Sequence, residues 1–408
     1  MFNLTNLEDK RLRTIGGPWS FFRRLRILCN GALIEDIDYY NHVHQMFDVL
    51  QSENVRNNED VEGFGIRADG GFGNQLINAP LDLDTAELTA LSQYVSVMGN
   101  GSKAVSFSLL SGILNQGKML PLKYCPITIE LELVNNFYDP IVSGAIASDA
   151  RSAVIMKLGL TATNTSSIWQ LDNVQIKADI VRMDNQLENE FAQRFLSGQS
   201  IPINYSTYIS QIQALSGQNT SVNVTRAISR LKSVFLTFAP NSNFVTNSYP
   251  IKRSENYTDE FCSNPWAFLR PWNDFYHPLD SGPFYDDAKE MEIQVQCGSK
   301  MFPEYPMRST SEIFANLRKC MGIQNSTFHS IDISPLEYRQ HKFIVGIDTE
   351  KVLAASFTGE NLKSGSLITL KIKTGSGVAT ADLAANVYVI LHSDNIMNIR
   401  DSGVEVLD

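Results

Sequence analysis

The stretch 120–134, LPLKYCPITIELELV, constrains the fold more than any other part of the chain. Its second half alternates apolar and polar residues, which is typical of a β-strand with one face in a core and one facing outward. The apolar face carries Ile127, Ile129, Leu131 and Leu133, and the outward face carries Thr128, Glu130 and Glu132. Pro121 and Pro126 precede the alternation and suit a strand entrance or a sheet edge. A slip of one residue would bury the two glutamates, so we expect a firmly specified register.

The chain length indicates more than one core. With 408 residues, 43% hydrophobic and 19% charged, the chain is typical of a folded protein with two domains or two fused sheet systems. No apolar run is long enough for a transmembrane helix, and the first residues lack the apolar segment of a secretory signal. The five cysteines are odd in number and not closely paired, which predicts reduced thiols and synthesis in the cytosol.

Charge is distributed unevenly along the chain. The net charge of −10 argues against general affinity for nucleic acid. Residues 1–30 nevertheless carry +4, which leaves −14 for the remainder. Residues 1–20 contain Gly16, Gly17 and Pro18 and are expected to be loosely ordered. Two interpretations stay open: a basic arm that contacts a polyanion, and a flexible, solvated tail.

Four stretches show helical spacing of their apolar residues. They are 35–50, 185–197, 207–216 and 311–321. Glu35 and Asp36 are expected near the start of the first helix, where the helix dipole favours acidic residues. Asp184 and Gly198 bound the second as N-cap and stop, and Gly217 ends the third.

Strand patterns dominate the remainder of the sequence. Residues 21–34 contain Asn30-Gly31, which predicts a hairpin. Further strands are expected at 104–114, 152–161, 169–183, 231–238, 291–297, 343–347, 367–372 and 387–392. Many short strands with few helices favour antiparallel sandwiches or jelly rolls, and the arrangement occurs once in each half.

Candidate catalytic residues are few. Glu130 and Glu132 are paired carboxylates, as in a glycoside hydrolase, but neighbours two apart on a strand are usually a solvated or interface face. His42 and His44 are too closely spaced on a helix to share a metal, so we expect one core and one surface histidine. The sequence contains no phosphate loop, no CxxC and no nucleophile elbow. Neither an enzyme nor a cofactor is expected.

The segment 240–286 is crowded with aromatic residues, and an irregular segment of this length normally has a function. Two interpretations are open for it. Aromatic faces stack on sugars, and aromatic residues are also enriched in protein–protein interfaces. The density of Trp266, Phe268, Trp272 and Phe275 favours the interface.

Several long strings resemble one known family. Among them are RRLRILCNGALIEDIDYYNHVHQMF at 23–47, SFSLLSGILNQGKMLPLKYCPITIELELV at 106–134, and WQLDNVQIKADIVRMDNQLENEFAQRFLSGQSIPINYSTYISQIQ at 169–213. With shorter strings at 225–238, 296–306, 343–351 and 398–406, they resemble the double jelly-roll major capsid proteins of polinton-like viruses and adintoviruses, in the hexon-like lineage. The resemblance implies an all-β fold of two tandem eight-stranded antiparallel jelly rolls, with a few short helices and long inter-strand loops.

The resemblance also implies a domain division and a function. The expected divisions are a basic N-terminal arm at 1–20, a first jelly roll at 21–185, a helical connection at 186–224 and a second jelly roll at 225–408. Family members form homotrimeric, pseudo-hexameric capsomers that tile an icosahedral shell around double-stranded DNA. We therefore expect a virion protein made in the host cytoplasm, with minor capsid and penton proteins as further partners.

The expected contact residues follow from that model. Candidate inter-subunit contacts are Trp266, Phe268, Trp272, Phe275, Glu130 and Glu132. The candidate inward-facing arm, which would touch DNA or an internal membrane, carries Lys10, Arg11 and Arg13. Two alternatives remain: a carbohydrate-binding jelly-roll attachment protein that uses the aromatic segment, and a glycoside hydrolase that uses Glu130 or Glu132.

Overall fold

The structure is a computed structural model of the 408-residue chain. It describes residues 1–14, 16–64, 96–137, 139–141, 166–240, 248–250, 269–271, 275, 277–279, 290–322, 331–335, 338, 342–350, 359–363, 367–374, 383–401 and 403–407.

The first half of the chain forms small antiparallel sheets. Its strands are β1 (Phe2–Asn6), β2 (Leu12–Arg13), β3 (Phe22–Cys29), β4 (Ala32–Ile37), β5 (Ser96–Val97), β6 (Ser102–Val105), β7 (Ile127–Leu133) and β8 (Trp169–Asp172). Its helices are a 3-10 turn (Pro18–Phe21), α1 (Tyr40–Val49), α2 (Glu53–Glu62) and α3 (Gly112–Asn115). The strand orders are β6-β1-β8 and β4-β3-β7, with β2 paired to β5.

The second half is built on two larger antiparallel sheets. After α4 (Asn185–Leu196) come β9 (Ile201–Gly217), β10 (Asn219–Val224), β11 (Leu231–Pro240), β12 (Ser248–Pro250), β13 (Leu269–Pro271), β14 (Met291–Cys297), β15 (Lys300–Met307), α5 (Thr310–Cys320), β16 (Val345–Asp348), β17 (Ile368–Thr374), β18 (Leu383–Arg400) and β19 (Gly403–Leu407). One sheet has the order β10-β17-β14-β15, and in the other β18 pairs with β11, β9 and β19.

Strand β7 confirms the alternation read from the sequence. It pairs antiparallel with β3, with Leu131 opposite Leu25 and Ile129 opposite Ile27. Ile129 and Leu131 are only half-buried, and Leu133 is 46% exposed, so its expected place in the core is wrong. The reason is position: among the described residues β7 is an edge strand and nothing covers its outer side.

The two small sheets of the first half pack face to face. The Phe2 ring of β1 lies 5.9 Å from the Phe21 ring and 5.7 Å from the Phe22 ring of β3, both edge-on. These ring contacts between the two sheets form a sandwich with its core between them.

The turn between β3 and β4 confirms the predicted hairpin. Asn30 and Gly31 have φ values of 49° and 80°.

The N-terminal residues are part of this core, so the expected loosely ordered arm at 1–20 is wrong. β1 is the middle strand of its sheet, and Phe2 and Leu4 are 1% and 0% exposed. Leu12 of β2 is also fully buried. The alternation of apolar and polar residues in Phe2–Asn6 indicates a strand. The prediction of a loosely ordered arm rested instead on the charge of the segment and on its glycines.

The predicted helix at 207–216 is wrong because the chain is a strand there. β9 pairs with β18 continuously, from Ile201 opposite Ile399 to Gly217 opposite Leu383. A strand of this length satisfies its backbone across the sheet, and this pairing overrides the local helical spacing. The helical part of the 186–224 connection therefore ends with α4, and strands β9 and β10 follow.

Two shorter differences lie near the first and second predicted helices. Glu35 and Asp36 belong to β4, and the helix begins only at Tyr40, after Tyr39 in the left-handed region at φ 49°. The strand expected at 169–183 ends with β8 at Asp172. Helix α4 starts as predicted, with the Asp184 side chain accepting a hydrogen bond from the Leu187 N–H, and it ends at Leu196, just before the predicted stop at Gly198.

Cys29 and Cys125 form a disulfide, so the prediction of reduced thiols is wrong for this pair. Their Cα atoms are 5.4 Å apart, although 96 residues separate them in sequence. Cys29 ends β3 and Cys125 lies just before β7, so the pairing of these two strands brings them together. Spacing along the chain gives no sign of such a pair.

Candidate assembly surfaces and the joint between the halves

Helix α1 joins the two halves of the chain through His42. The imidazole Nε2 lies 2.7 Å from Thr237 Oγ1 on β11, and the ring stacks on Tyr388 of β18 at 3.9 Å. Complete burial lowers the pKa of His42 to about 3, because the charged form would lose its hydration. A neutral, buried histidine here confirms the predicted core histidine and serves the joint.

His44 points to different surroundings from His42. Its ring stacks on Trp19 at 4.1 Å, and its Nε2 lies 3.2 Å from the Ser108 carbonyl oxygen. The two histidines therefore do not face a common point. In the part of the chain that the structure describes, no group of three or more His, Cys, Asp or Glu side chains is arranged to hold a metal ion.

Further contacts make the joint a continuous core. Phe47 of α1 packs between Tyr208 of β9 at 4.7 Å and Phe235 of β11 at 5.4 Å. The Tyr205 hydroxyl of β9 donates a hydrogen bond of 2.8 Å to the Ile34 carbonyl oxygen of β4. Buried side chains of both halves belong to one hydrophobic cluster, so the halves are held together by apolar packing and not only by a linker.

Glu35 is a buried carboxylate in the same region. It is 2% exposed and accepts hydrogen bonds from the Gly112 N–H at 2.8 Å, the Ile113 N–H at 3.3 Å and the Ser111 hydroxyl. Burial raises the pKa of Glu35, and these hydrogen bonds oppose the rise. Since its partners are the first residues of α3, the carboxylate fixes this turn against β4 and has a structural role.

Gly112 explains why α3 lies so close to β9. A Cβ atom at this position would lie 1.4 Å from the Ser206 carbonyl oxygen. Only glycine allows the turn to approach the β9 backbone this closely.

Glu130 and Glu132 lie on an exposed, charge-paired face of the sheet β4-β3-β7. Arg26 contacts the Glu130 carboxylate at 3.3 Å, and Arg24 lies opposite Glu132 in the strand register. Arg24 also forms two hydrogen bonds of 2.7 and 2.6 Å with Asp36, which raise the pKa of the guanidinium. Both glutamates thus lie beside arginines of the neighbouring strand on an exposed sheet face, as expected for a solvated or interface position.

Of the four aromatic residues expected at inter-subunit contacts, Phe275 lies within the described residues. Phe275 is 0% exposed, its carbonyl accepts a 2.7 Å hydrogen bond from the Phe343 N–H, and its ring meets His42 edge-on at 5.0 Å. It belongs to the interior of the chain, so it does not form an exposed inter-subunit contact as expected. Trp266, Phe268 and Trp272 lie outside the described residues.

The predicted basic arm is part of the folded edge of the first half. Lys10 lies 4.0 Å from the Glu8 carboxylate, and the Arg11 carbonyl accepts a 2.8 Å hydrogen bond from the Ser166 N–H. Arg13 belongs to β2, which pairs with β5. The backbone that carries these three residues is therefore structured and is not a free tail.

An exposed apolar segment follows β8, and the sequence reasoning missed its exposure. Residues 173–187 are all exposed, including Val174 at 57%, Ile176 at 60% and Ile180 at 76%. Residues 173–184 belong to no helix or strand. Aliphatic residues at strand spacing were the visible signal, but whether they are covered depends on their neighbours in space. Several exposed aliphatic side chains in one short segment suit an interaction surface.

No protein-family model and no curated protein matches the chain. No helix within the described ranges is both long and apolar enough to cross a membrane.

The fold itself is that of a double jelly roll: two halves made mostly of antiparallel sheets, with a few short helices. Solved structures share it over nearly the whole chain. PBCV-1 VP54, fitted into a cryo-electron microscopy reconstruction of the virophage Sputnik, matches with a TM-score of 0.53 and 11% identity, over 100% of this chain and 88% of that chain. A quasi-atomic model of the PBCV-1 virus capsid matches with a TM-score of 0.51 and 11% identity, and the match covers the same shares of the two chains. The Faustovirus major capsid protein matches with a TM-score of 0.50 and 9% identity, over 95% of this chain and 74% of that chain.

Proposed function

We propose that this chain is a viral major capsid protein. The observation that carries the proposal is the full-length likeness of its double jelly-roll fold to PBCV-1 VP54, together with the Faustovirus major capsid protein. Since fold alone does not decide function, the surfaces of this chain also have to suit an assembly protein. The buried ionisable groups described at the joint have structural roles. The exposed features described above, a paired charged face and an apolar segment, suit contacts between subunits.

The proposed assembly is a homotrimer that forms a pseudo-hexameric capsomer. Capsomers of this kind would tile an icosahedral shell around double-stranded DNA, with minor capsid and penton proteins as partners. The two halves joined through α1 suit this role, because a packed joint lets one chain act as a single rigid building block. The lineage we propose, that of polinton-like viruses and adintoviruses, rests on the sequence resemblance alone.

The basic residues near the N-terminus are not part of a mobile arm in this proposal. The cations of residues 1–14 are placed on strands and their connections, and any contact with DNA or an internal membrane would have to use this folded edge. Removing β1 would delete the middle strand of a sheet and unfold the first half, so truncation does not test the role of these cations. Charge reversal at Lys10, which leaves β1 intact, is the appropriate change.

The deciding experiment is the mass and shape of the purified chain. Light scattering after size-exclusion chromatography should give three times the 45.6 kDa of one chain, and negative-stain microscopy should show particles with a hexagonal outline. A chain that stays monomeric at high concentration would overturn the proposal.

A further inference from the structure

The exposed apolar segment and the edge strand β7 are complementary. Val174, Ile176, Ala178 and Ile180 share one face of an extended chain, and Gln175, Lys177 and Asp179 share the other. The seven residues 174–180 equal the length of β7. β7 shows the same alternation, with a half-covered apolar face and a polar face that carries Glu130 and Glu132.

Within the described ranges, both backbones have an open side. Among the described residues, β7 forms strand pairs only with β3. In the segment, Gln175 exchanges backbone hydrogen bonds with Met1, at 2.9 Å and 3.0 Å. That contact uses one side of the extended chain, so the backbone groups of its neighbours Val174 and Ile176 face the other side. An open strand edge with exposed aliphatic residues is a template for pairing with another strand.

The partner of Asp179 selects one orientation, because Lys177 lies opposite Glu130 in either direction of full overlap. With full antiparallel overlap, Gln175 lies opposite Glu132, and Asp179 opposite Thr128. With full parallel overlap, Asp179 would face Glu132, and like charges directly opposite each other destabilise a sheet. The antiparallel register also places Ile176 beside Leu131 and Ile180 beside Ile127.

We propose that residues 174–180 of one chain add as an antiparallel strand to β7 of a second copy. The partner is a copy of this chain because the pattern and charges of the segment complement β7 of the same sequence, while in the single chain residues 173–187 remain exposed. Donor and acceptor are different surfaces, so the contact is head-to-tail. Contacts of this type close into a ring when the rotation per subunit allows it, as a trimer requires. This inference rests on the proposed function and names the contact that builds its trimer.

The competing arrangement is closure within one chain. Trp169 donates a 2.7 Å hydrogen bond to the Phe137 carbonyl, and Glu188 forms an ion pair with Lys123, so the flanks of the segment lie near both ends of its own β7. The same register is therefore available in one chain, and the experiment has to distinguish the two.

The experiment uses the full chain in an equal mixture of unlabelled and heavy-isotope-labelled protein. A carbodiimide joins an amine and a carboxylate that lie in direct contact, so it reports Lys177 next to Glu130. Peptide pairs that combine a light and a heavy partner arise only between chains. We expect such mixed pairs; finding only unmixed pairs, or no Lys177–Glu130 link, would overturn the inference.

A substitution tests the apolar half of the contact. Ile180→Asp changes a side chain that is 76% exposed and places a charge on the apolar face, so mixed cross-links should fall about tenfold. Val61→Asp, at 86% exposure on α2, is the matched control and should leave them unchanged. An equal fall in both variants would contradict the proposal.

The two proposals fail differently. Trimers without mixed cross-links would overturn the strand exchange and leave the capsid assignment standing. Mixed cross-links in a chain that forms dimers or filaments but no trimers would support the exchange and overturn the capsomer.

Discussion

His42 makes the stability of the chain depend on pH in a direction that its surroundings dictate. Its ring is buried between Thr237 and Tyr388, and burial lowers its pKa from 6.5 to about 3. The folded chain therefore keeps the imidazole neutral, whereas the unfolded chain protonates it as the pH falls below 6.5. Protonation stabilises the unfolded state, so the free energy of unfolding decreases from pH 6.5 downward, and the loss is complete below about pH 3.

The magnitude follows from the two pKa values. A pH of about 5 lies about 1.5 units below the pKa of the unfolded histidine. At this pH the histidine is mostly charged in the unfolded chain and neutral in the folded chain. At about 1.4 kcal/mol per unit, His42 then contributes a loss of about 2 kcal/mol relative to neutral pH.

The assay compares His42→Gln with the unsubstituted chain in urea unfolding at about pH 7.5 and pH 5. Glutamine retains a hydrogen-bonding group for Thr237 but does not titrate, so groups common to both proteins cancel in the comparison. The variant should be less stable at pH 7.5, and its deficit should shrink by about 2 kcal/mol at pH 5. An equal pH dependence of the two proteins would refute the reasoning. His392, whose pKa burial lowers to about 4, gives an independent repeat with His392→Gln.

Three further changes test the packing. Gly112→Ala places a methyl group 1.4 Å from a carbonyl oxygen of β9, so the melting temperature should fall sharply, whereas Gly117→Ala, with nothing within 4 Å, should be nearly neutral. Glu35→Ala leaves buried donors unpaired and should cost on the order of 3 kcal/mol in urea unfolding. Reducing the disulfide between Cys29 and Cys125 should cost about 2–4 kcal/mol; a Cys29→Ser variant should not respond to reductant, and an equal response would contradict the assignment.

Local signals in the sequence predicted the elements whose cause is local. The Asn30-Gly31 turn, the Asp184 cap of α4 and the alternation of β7 depend on a residue and its near neighbours, and the structure has all three. The surface position of Glu130 was also predictable, because period-2 alternation places it opposite the apolar face.

The predictions that were wrong concern residues whose structure depends on a partner far away in the sequence. Tyr208, Ile212 and Leu215 have helical spacing, yet β9 is a strand because β18 satisfies its backbone over the whole length. Phe275 has the composition of an interface residue, but it is buried against a helix more than two hundred residues earlier in the sequence.

The sequence was enough to predict a chain made mostly of antiparallel strands with few helices, since alternation and turn chemistry are properties of short segments. Only the tertiary structure decided that residues 1–14 are folded, that Cys29 meets Cys125, and that α1 joins the halves. It also decided which apolar stretches are left uncovered: residues 174–180 and β7 have the alternation of buried strands, and their exposure depends on what lies beside them in space. Pairing between strands far apart in the chain is a property of the whole fold, and a local pattern does not specify it.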